Sequence, residues 1–242
     1  MRKLRITFNG KDVDVDIPES WREMSEKQFI AACSLADGRV ECYEFYSQYF
    51  GIPAEGVAAL SLYDFYMLNG LMNFMREPAM LNCFKIARVS DFIAPLPGLA
   101  SMDFEQFMMA DTFFNWYAQT ENDAYLNRMC AVLYLMEGEK VSDLNMSARE
   151  NAWRLVKTPV KYAILVNWSM VRMWVANAYP YLFPSGDSEA PRYKNKNPKL
   201  SSTWLDIFDA LVEDDLSKIV SYKRLHCLDV IRIVNRKIKN QK

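Results

Sequence analysis

The sequence contains a single histidine, His226, and only five cysteines, and this scarcity argues against several kinds of site. A Ser-His-Asp or Cys-His centre would have to use His226, whose neighbour Cys227 points about 100° away from it on a helix. A histidine that begins an amphipathic helix is more often a surface or packing residue. No two cysteines have a CxxC spacing, which argues against structural zinc, and their odd count is typical of reduced thiols.

Nucleotide-binding loops and long apolar runs are also missing. Neither GxGxxG nor GxxxxGK[ST] occurs, so nucleotide binding through those loops is not supported. The most apolar stretch, residues 162–178, is interrupted by Asn167 and Arg172, and its length favours a core helix over a membrane span. The chain opens on an alternating pattern, so we expect no signal peptide. We expect no cofactor and no membrane partner.

The low net charge and the small numbers of glycine and proline are also informative. The formal net charge of -1 gives no broad attraction for nucleic acid. With only 8 Gly and 10 Pro in 242 residues, the composition indicates long helices and few tight loops. The acidic residues Asp12, Asp14 and Asp16 alternate on a strand opposite basic residues, and the acidic run 213–215 suits a solvated turn. Neither has EF-hand spacing, so we predict no metal site.

The densest aromatic and methionine content lies in residues 103–136, which predict two helices joined by a polar turn. Asp103 and Gln106 fit a capping box for the first helix, and Asp123 fits the cap of the second. The aromatic residues of 104–117 surround the first helix almost completely, which favours a buried core over a site for a flat ligand. In the second helix Leu126, Met129, Cys130 and Leu133 form one apolar stripe.

The first seventeen residues predict a β-hairpin. Two alternating segments flank Asn9-Gly10, the strongest two-residue turn signal. A two-residue loop would pair Arg5 with Asp14 and Lys3 with Asp16 on the polar face.

These patterns predict a mainly α fold: a multi-helix globular domain with an N-terminal β-hairpin. We expect a single domain over 1–242, with the hairpin at 1–17, a helical core at 18–183, an exposed loop at 184–202 and C-terminal helices at 203–242. The helix starts are predicted from capping signals at Ser25 with Gln28, Ser61 with Asp64, Ser147 with Glu150, Thr158-Pro159 and Thr203. The last helix, from about residue 225 to 239, should bury an apolar stripe.

Two basic segments are the candidate contact sites for a partner. The segment near the C-terminus has a structural interpretation, since cations at the C-terminal end of a helix interact favourably with the helix dipole. The functional interpretation is contact with an acidic partner or a DNA backbone. The candidate residues are Arg192, Lys194, Lys196 and Lys199 in the loop, and Arg232, Arg236, Lys237 and Lys239 near the C-terminus.

The order of several segments resembles uncharacterised proteins of phages and prophages of Bacteroidetes. The segments are the NGK hairpin, DIPESWREMSEKQF, MDFEQFMMADTFFNWYAQTENDAYLNRMCAVLY, SARENAWRLVKTPVKYAILVNWSMVR, and WLDIFDALVEDD before a basic helix. The likeness spans nearly the whole chain and assigns no functional residue. It implies a role in virion morphogenesis, as a head–tail or tail component or as a tail-assembly chaperone.

The resemblance and the lack of catalytic motifs together predict a non-enzymatic protein that acts by protein–protein contacts. Its partners would be other phage structural proteins, or further copies of itself, in the host cytoplasm during assembly or in the virion. The edge of the hairpin could add to a partner's sheet, and loop 184–202 could order on binding. The alternative is a module that contacts nucleic acid through its two basic segments, and an enzyme is the least favoured hypothesis.

Overall fold

The structure, a computed structural model, describes residues 2–8, 11–38, 40–77, 79–183 and 216–240. Several predictions lie outside these ranges: the Asn9-Gly10 turn, the loop 184–202 with its four basic residues, the helix that follows Thr203 and the acidic run 213–215. In the described residues the chain is mainly α-helical with an N-terminal antiparallel hairpin, which confirms the predicted fold class.

The described elements follow one another as two hairpin strands, four helices, a second small hairpin and six further helices. In chain order they are β1 (Arg2–Phe8), β2 (Lys11–Ile17), α1 (Glu26–Ala36), α2 (Cys42–Phe50), α3 (Ala54–Ala58), α4 (Leu62–Leu71), β3 (Arg88–Val89), β4 (Phe92–Ile93), α5 (Phe104–Thr120), α6 (Asp123–Leu133), α7 (Met146–Arg154), α8 (Thr158–Ala178), α9 (Leu216–Lys223) and α10 (Cys227–Asn240). Short 3-10 turns occupy Asn73–Arg76, Pro97–Leu99 and Val141–Asp143.

The chain forms two compact units. The first comprises Met1–Leu81 with Lys157–Met170, and the second comprises Asn82–Val156 with Val171–Lys242. Helix α8 therefore contributes to both. The expectation of a single domain stays a prediction.

The N-terminal hairpin has the predicted register. Arg5 pairs with Asp14 and Lys3 with Asp16 across the strands, and Arg5 Nε donates to Asp14 Oδ1 at 3.1 Å. On the other face Val15 and Ile17 are buried. Because α1 carries Gln28, whose side-chain amide donates to Asp16 O at 2.9 Å, the hairpin is fixed to the first helix.

Caps and aromatic contacts define the rest of the first unit. Ser25 and Gln28 form the predicted capping box of α1, and Ser61 and Asp64 form that of α4. Trp21 packs edge-on against Phe29 at 5.9 Å between ring centroids. Helix α4 ends at Leu71, and a 3-10 turn follows it from Asn73 to Arg76.

The helical hairpin of α5 and α6 lies at the core of the second unit, as predicted. Five aromatic residues of α5 are buried, and the stripe of α6 is fully buried. Trp116 is the exception, since it is 43% exposed and packs on Tyr125 with ring centroids 5.2 Å apart. The helix is therefore not covered all round. The buried residues are Phe104, Phe107, Phe113, Phe114, Tyr117, Leu126, Met129, Cys130 and Leu133.

Two of the predicted caps in this unit are wrong in detail. Asp103 caps α5 by accepting from Gln106 N at 2.8 Å. The Gln106 side chain does not return to Asp103 to close the box, because it is buried and donates to Val132 O at 2.9 Å, on α6. Helix α6 is capped by Asn122, one residue before the predicted Asp123.

The capping box predicted at Ser147 and Glu150 is also wrong. Asn145 caps α7 by accepting from Ala148 N. Glu150 instead accepts from Arg128 Nε at 2.8 Å and from Arg154 Nη2 at 2.7 Å. The carboxylate joins α6 to α7, a tertiary role that local spacing does not reveal.

Replacing Glu150 by glutamine is expected to lower the free energy of unfolding by about 1–3 kcal/mol at neutral pH, because two charge-assisted hydrogen bonds are weakened. The hydrogen bond from Arg128, and then that from Arg154, holds the pKa of the Glu150 carboxyl below its usual value. This stabilisation is present above the unfolded-state pKa, about 4.3, and is lost as the pH falls through the folded-state pKa. Urea titrations of both proteins from pH 7 to pH 3 check this, since the difference should shrink in acid. A difference that stays constant over that range would contradict it.

Helix α10 is fastened to the start of α5. Its predicted apolar stripe is buried at Cys227, Val230, Ile231 and Val234, whereas Ile238 at its end is only half-buried. Two backbone hydrogen bonds join the segments, one of them from Cys227 N to Met102 O at 3.0 Å. Arg232, Arg236 and Lys239 lie on the side of the helix opposite the stripe.

Helix α8 is the longest described element. Thr158, the residue predicted as its cap, is instead its first helical residue. The helix buries Asn167 along with Ala163, Ile164 and Trp168. No helix in the described part of the chain is both long and apolar enough to cross a membrane.

Candidate interaction surfaces

Three of the four predicted basic residues of α10 share one face of the helix. Arg232, Arg236 and Lys239 follow at intervals of four and three residues, which places them on one side, opposite the buried stripe. Lys237 lies about 100° from Arg236. All four side chains are exposed. The loop residues Arg192, Lys194, Lys196 and Lys199 lie outside the described ranges.

This basic face is partly engaged within its own unit. Arg232 Nη2 donates to Asp229 Oδ1 at 2.9 Å, and the ammonium of Lys239 lies 5.5 Å from the centroid of the Tyr181 ring. Asn235 accepts from the backbone N–H groups of Tyr181 and Leu182 at 3.0 Å each. At least two cations of the helix therefore make local contacts.

His226 takes part in packing. Its Nε2 lies 3.0 Å from Leu99 O, and its Nδ1 lies 4.0 Å from Asp229 Oδ2. Burial raises the pKa of the neighbouring Cys227 thiol to about 12, so this thiol is protonated at neutral pH. The two side chains therefore do not form a thiolate–imidazolium pair of the kind that activates a cysteine nucleophile.

In the described ranges no three or more His, Cys, Asp or Glu side chains lie close enough together to hold a metal ion. Two of the three alternating aspartates of the hairpin have cross-strand side-chain partners. Asp12 accepts from Thr7 Oγ1 at 2.6 Å, and Asp14 is paired with Arg5.

The most unusual surface of the first unit is the outer side of α4. Leu62 is 89% exposed, Tyr66 77%, Tyr63 69% and Met67 46%, and Gly70 is also exposed. We call these five residues the α4 outer face, since their positions span about 140° of the helix circumference. Such a concentration of exposed large apolar side chains on one helix indicates a contact surface.

The opposite side of α4 explains why the helix forms and how it is held. Among its ten residues, all of them described, Leu68 alone is buried. Phe65 packs edge-on against Tyr46 of α2, with ring centroids 5.0 Å apart. The only charged residue is Asp64, which the capping box occupies. Among the described residues, the other side of α4 is therefore apolar and uncovered.

Beside α4 the first unit contains a cleft of about 340 Å³. Its walls are mostly apolar and aromatic, and Asn69 and Arg76 are the polar side chains beside the tyrosine hydroxyl. Burial raises the pKa of the Tyr46 hydroxyl, which lies in this wall. Ligand sites usually add several convergent polar groups to such a lining, so the cleft suits an apolar side chain of a partner better than a metabolite. The lining residues are Leu35, Cys42, Phe45, Tyr46, Phe65, Asn69, Met72, Met75 and Arg76.

The second unit has a smaller cleft, of about 200 Å³. It is lined by the loop before α5 and the turn after α6, including Leu96 and Met136, which are about half exposed. This volume is below the usual range for ligand pockets, about 300–1,000 Å³.

The α4 outer face was missed by reasoning from the sequence. The helix itself was predicted, but its apolar residues have the same composition as a core helix. The signal was that LYDFYMLNGL is apolar around nearly its whole circumference, at Leu62, Tyr63, Tyr66 and Met67 as well as at Leu68.

Comparisons with known proteins do not place the chain in a family. No family model matches the sequence, no curated protein matches it, and no solved structure matches the fold.

Proposed function

We propose that this protein works without catalysis, through contacts with other proteins, in the morphogenesis of a bacteriophage. The α4 outer face is the observation that supports the contact role. The resemblance of the sequence to phage and prophage proteins supports the setting. Two forms of the role are consistent with the exposed face and with the resemblance. The protein would be a head–tail or tail component of the virion, or a tail-assembly chaperone.

The composition of the α4 outer face suits a binding hot spot. Tyrosines are enriched among the residues that carry most of the binding energy of an interface. Tyr63 and Tyr66 are both more than two-thirds exposed, and a covered tyrosine buries about 150–250 Å². Their loss of rotamer freedom on binding is small, because a tyrosine has only two side-chain torsions.

A complementation experiment tests the contact role. A phage lacking the gene would be supplied with the wild-type chain, with Tyr66→Asp or with Leu155→Asp, and intact particles would be counted by electron microscopy. Tyr66→Asp places a charge in the centre of the α4 outer face and is expected to reduce particle yield at least about tenfold. Leu155→Asp is the matched control, since Leu155 is 88% exposed and follows the last residue of α7 in the second unit.

Wild-type yields with Tyr66→Asp would contradict the proposal. Circular dichroism of both purified variants separates a failure of binding from a failure of folding, because the two substitutions change exposed side chains only.

Mass spectrometry of purified particles distinguishes the two forms of the role. A virion component is present in the finished particle at a fixed stoichiometry, whereas an assembly chaperone is present in infected cells and missing from particles.

A nucleic-acid-contacting module is the second candidate, and the shared face of Arg232, Arg236 and Lys239 is the observation that favours it. Neutralising all three is expected to lower the slope of log affinity against log salt by about 0.9 for each phosphate of duplex DNA that the helix no longer neutralises. Fluorescence anisotropy over a salt series measures this slope. Binding that is undetectable at low salt would exclude the module.

A further inference from the structure

Gly70 occupies an unusual position in the first unit. It lies inside α4, where glycine is less favourable than alanine. A Cβ atom added to it would meet nothing within 4 Å among the described residues. Neither the backbone conformation nor the packing of the described residues therefore requires a glycine there. A close approach by another molecule would require one.

Gly70 belongs to a single ridge of the helix. Leu62, Tyr66 and Gly70 are spaced four residues apart, and residues at this spacing form the ridges through which helices most often pack. The ridge has the large residue Leu62 at one end, Tyr66 at its centre and, at the other end, Gly70, which has no side chain. When two such ridges pack antiparallel, the large end of each lies against the small end of the other.

We propose that the α4 outer face binds the same face of a second copy of this chain. The two helices cross around a two-fold axis at Tyr66, so that Leu62 of each copy lies over Gly70 of the other. In a two-fold interface each contact occurs twice, as this arrangement requires. The inference rests on the proposed contact role of the α4 outer face and specifies its partner.

Charge and area both suit a second copy. The α4 outer face carries no charged side chain, and Asp64 lies about 160° from Tyr66 around the helix, so a two-fold pairing brings no like charges together. Covering the exposed parts of four tyrosines, 69% and 77% in each copy, would bury roughly 440–730 Å². Leu62 and Met67 of both copies add much of the remainder of the ~1,000 Å² that a specific interface needs.

Size-exclusion chromatography with light scattering, on the full chain at several micromolar concentrations, tests the proposal. The expected mass is twice 28.2 kDa, falling towards the single-chain mass on dilution. Tyr66→Asp and Gly70→Leu should each raise the dissociation constant at least about tenfold. Leu155→Asp, at an equally exposed leucine, should leave it unchanged.

A compensating pair tests the register itself. Leu62→Gly with Gly70→Leu exchanges the large and small ends of the ridge, so in the double variant the leucine introduced at position 70 would lie over the glycine introduced at position 62 of the other copy. The double variant should dimerise more strongly than either single variant. A double variant that is weaker than both would exclude this register.

The results also separate this inference from the proposed function. A wild-type chain that stays monomeric at every concentration, or a dimer unaffected by Tyr66→Asp and Gly70→Leu, would overturn the second-copy interface. If that monomer still supports particle assembly and fails to do so with Tyr66→Asp, the contact role holds and the partner is another phage protein. If Tyr66→Asp supports wild-type assembly, the contact role fails as well.

Discussion

Replacing Trp153 by alanine is expected to lower the free energy of unfolding by about 3–5 kcal/mol. Trp153 lies on α7 with no exposed surface. Its ring stacks on Phe92 with centroids 5.6 Å apart and meets Tyr134 edge-on at 5.5 Å. Alanine would remove the aromatic contacts and leave a cavity between β4, the end of α6 and α7.

The measurement is a denaturant titration followed by circular dichroism, which does not depend on the fluorescence of the deleted tryptophan. Trp116→Ala is the matched control, since Trp116 is 43% exposed and its removal leaves no closed cavity. We expect the control to cost about 1 kcal/mol. Equal losses for the two variants would mean that Trp153 is not the packing centre of the second unit.

Replacing Arg172 by methionine is expected to cost about 3 kcal/mol, because it removes the arginine that pairs with the buried carboxylate of Asp111. Asp111 is 3% exposed. Its Oδ1 lies 2.5 Å from Arg172 Nε, and the guanidinium lies 4.4 Å from the centroid of the Phe114 ring. Methionine preserves much of the apolar stem of the arginine, so the loss should be largely electrostatic.

Arg154→Met is the control for the charge itself. Arg154 also pairs with a carboxylate, that of Glu150, but it is largely exposed and Arg128 remains as a second partner. Its removal should cost less than about 1 kcal/mol. The double variant Arg172→Met with Asp111→Leu should recover part of the loss, because it removes the buried carboxylate together with its arginine. No recovery would show that packing, rather than the buried charge, determines the cost of Arg172→Met.

The parts of the fold that follow from local chemistry were predictable from the sequence. The hairpin register follows from a two-residue turn and an alternating pattern, and the structure pairs Arg5 with Asp14 as expected. The capping boxes at Ser25 and Ser61 need only residues three positions apart. The buried stripe of α6 follows from the helical spacing of its apolar residues.

The errors occur where a distant partner competes for a side chain. Gln106 fits a capping box by spacing, yet its amide donates to Val132 O on α6. Glu150 fits another, yet it pairs with Arg128 and Arg154. Asn145 then caps α7 in place of Ser147. A local motif cannot indicate which of two hydrogen-bond partners the tertiary structure will bring closer.

The α4 outer face shows a second limit of prediction from the sequence. Aromatic and aliphatic residues on a helix predict burial, and for α5 that prediction was right at nearly every position. On α4 the same residue types at Tyr63 and Tyr66 remain exposed. Whether an apolar helix is covered by its own chain depends on the packing of the whole unit, which periodicity does not encode.

Photo-crosslinking in cells that are assembling particles tests the contact role of the α4 outer face most directly. A photoreactive phenylalanine derivative would replace Tyr66 in one strain and Leu155 in another, and the crosslinked peptides would be identified by mass spectrometry. We expect adducts at position 66 to a second copy of this chain or to another phage structural protein, and few at position 155. Adducts that are missing at 66, or equally abundant at both positions, would contradict the proposal that this helix is the surface through which the protein acts.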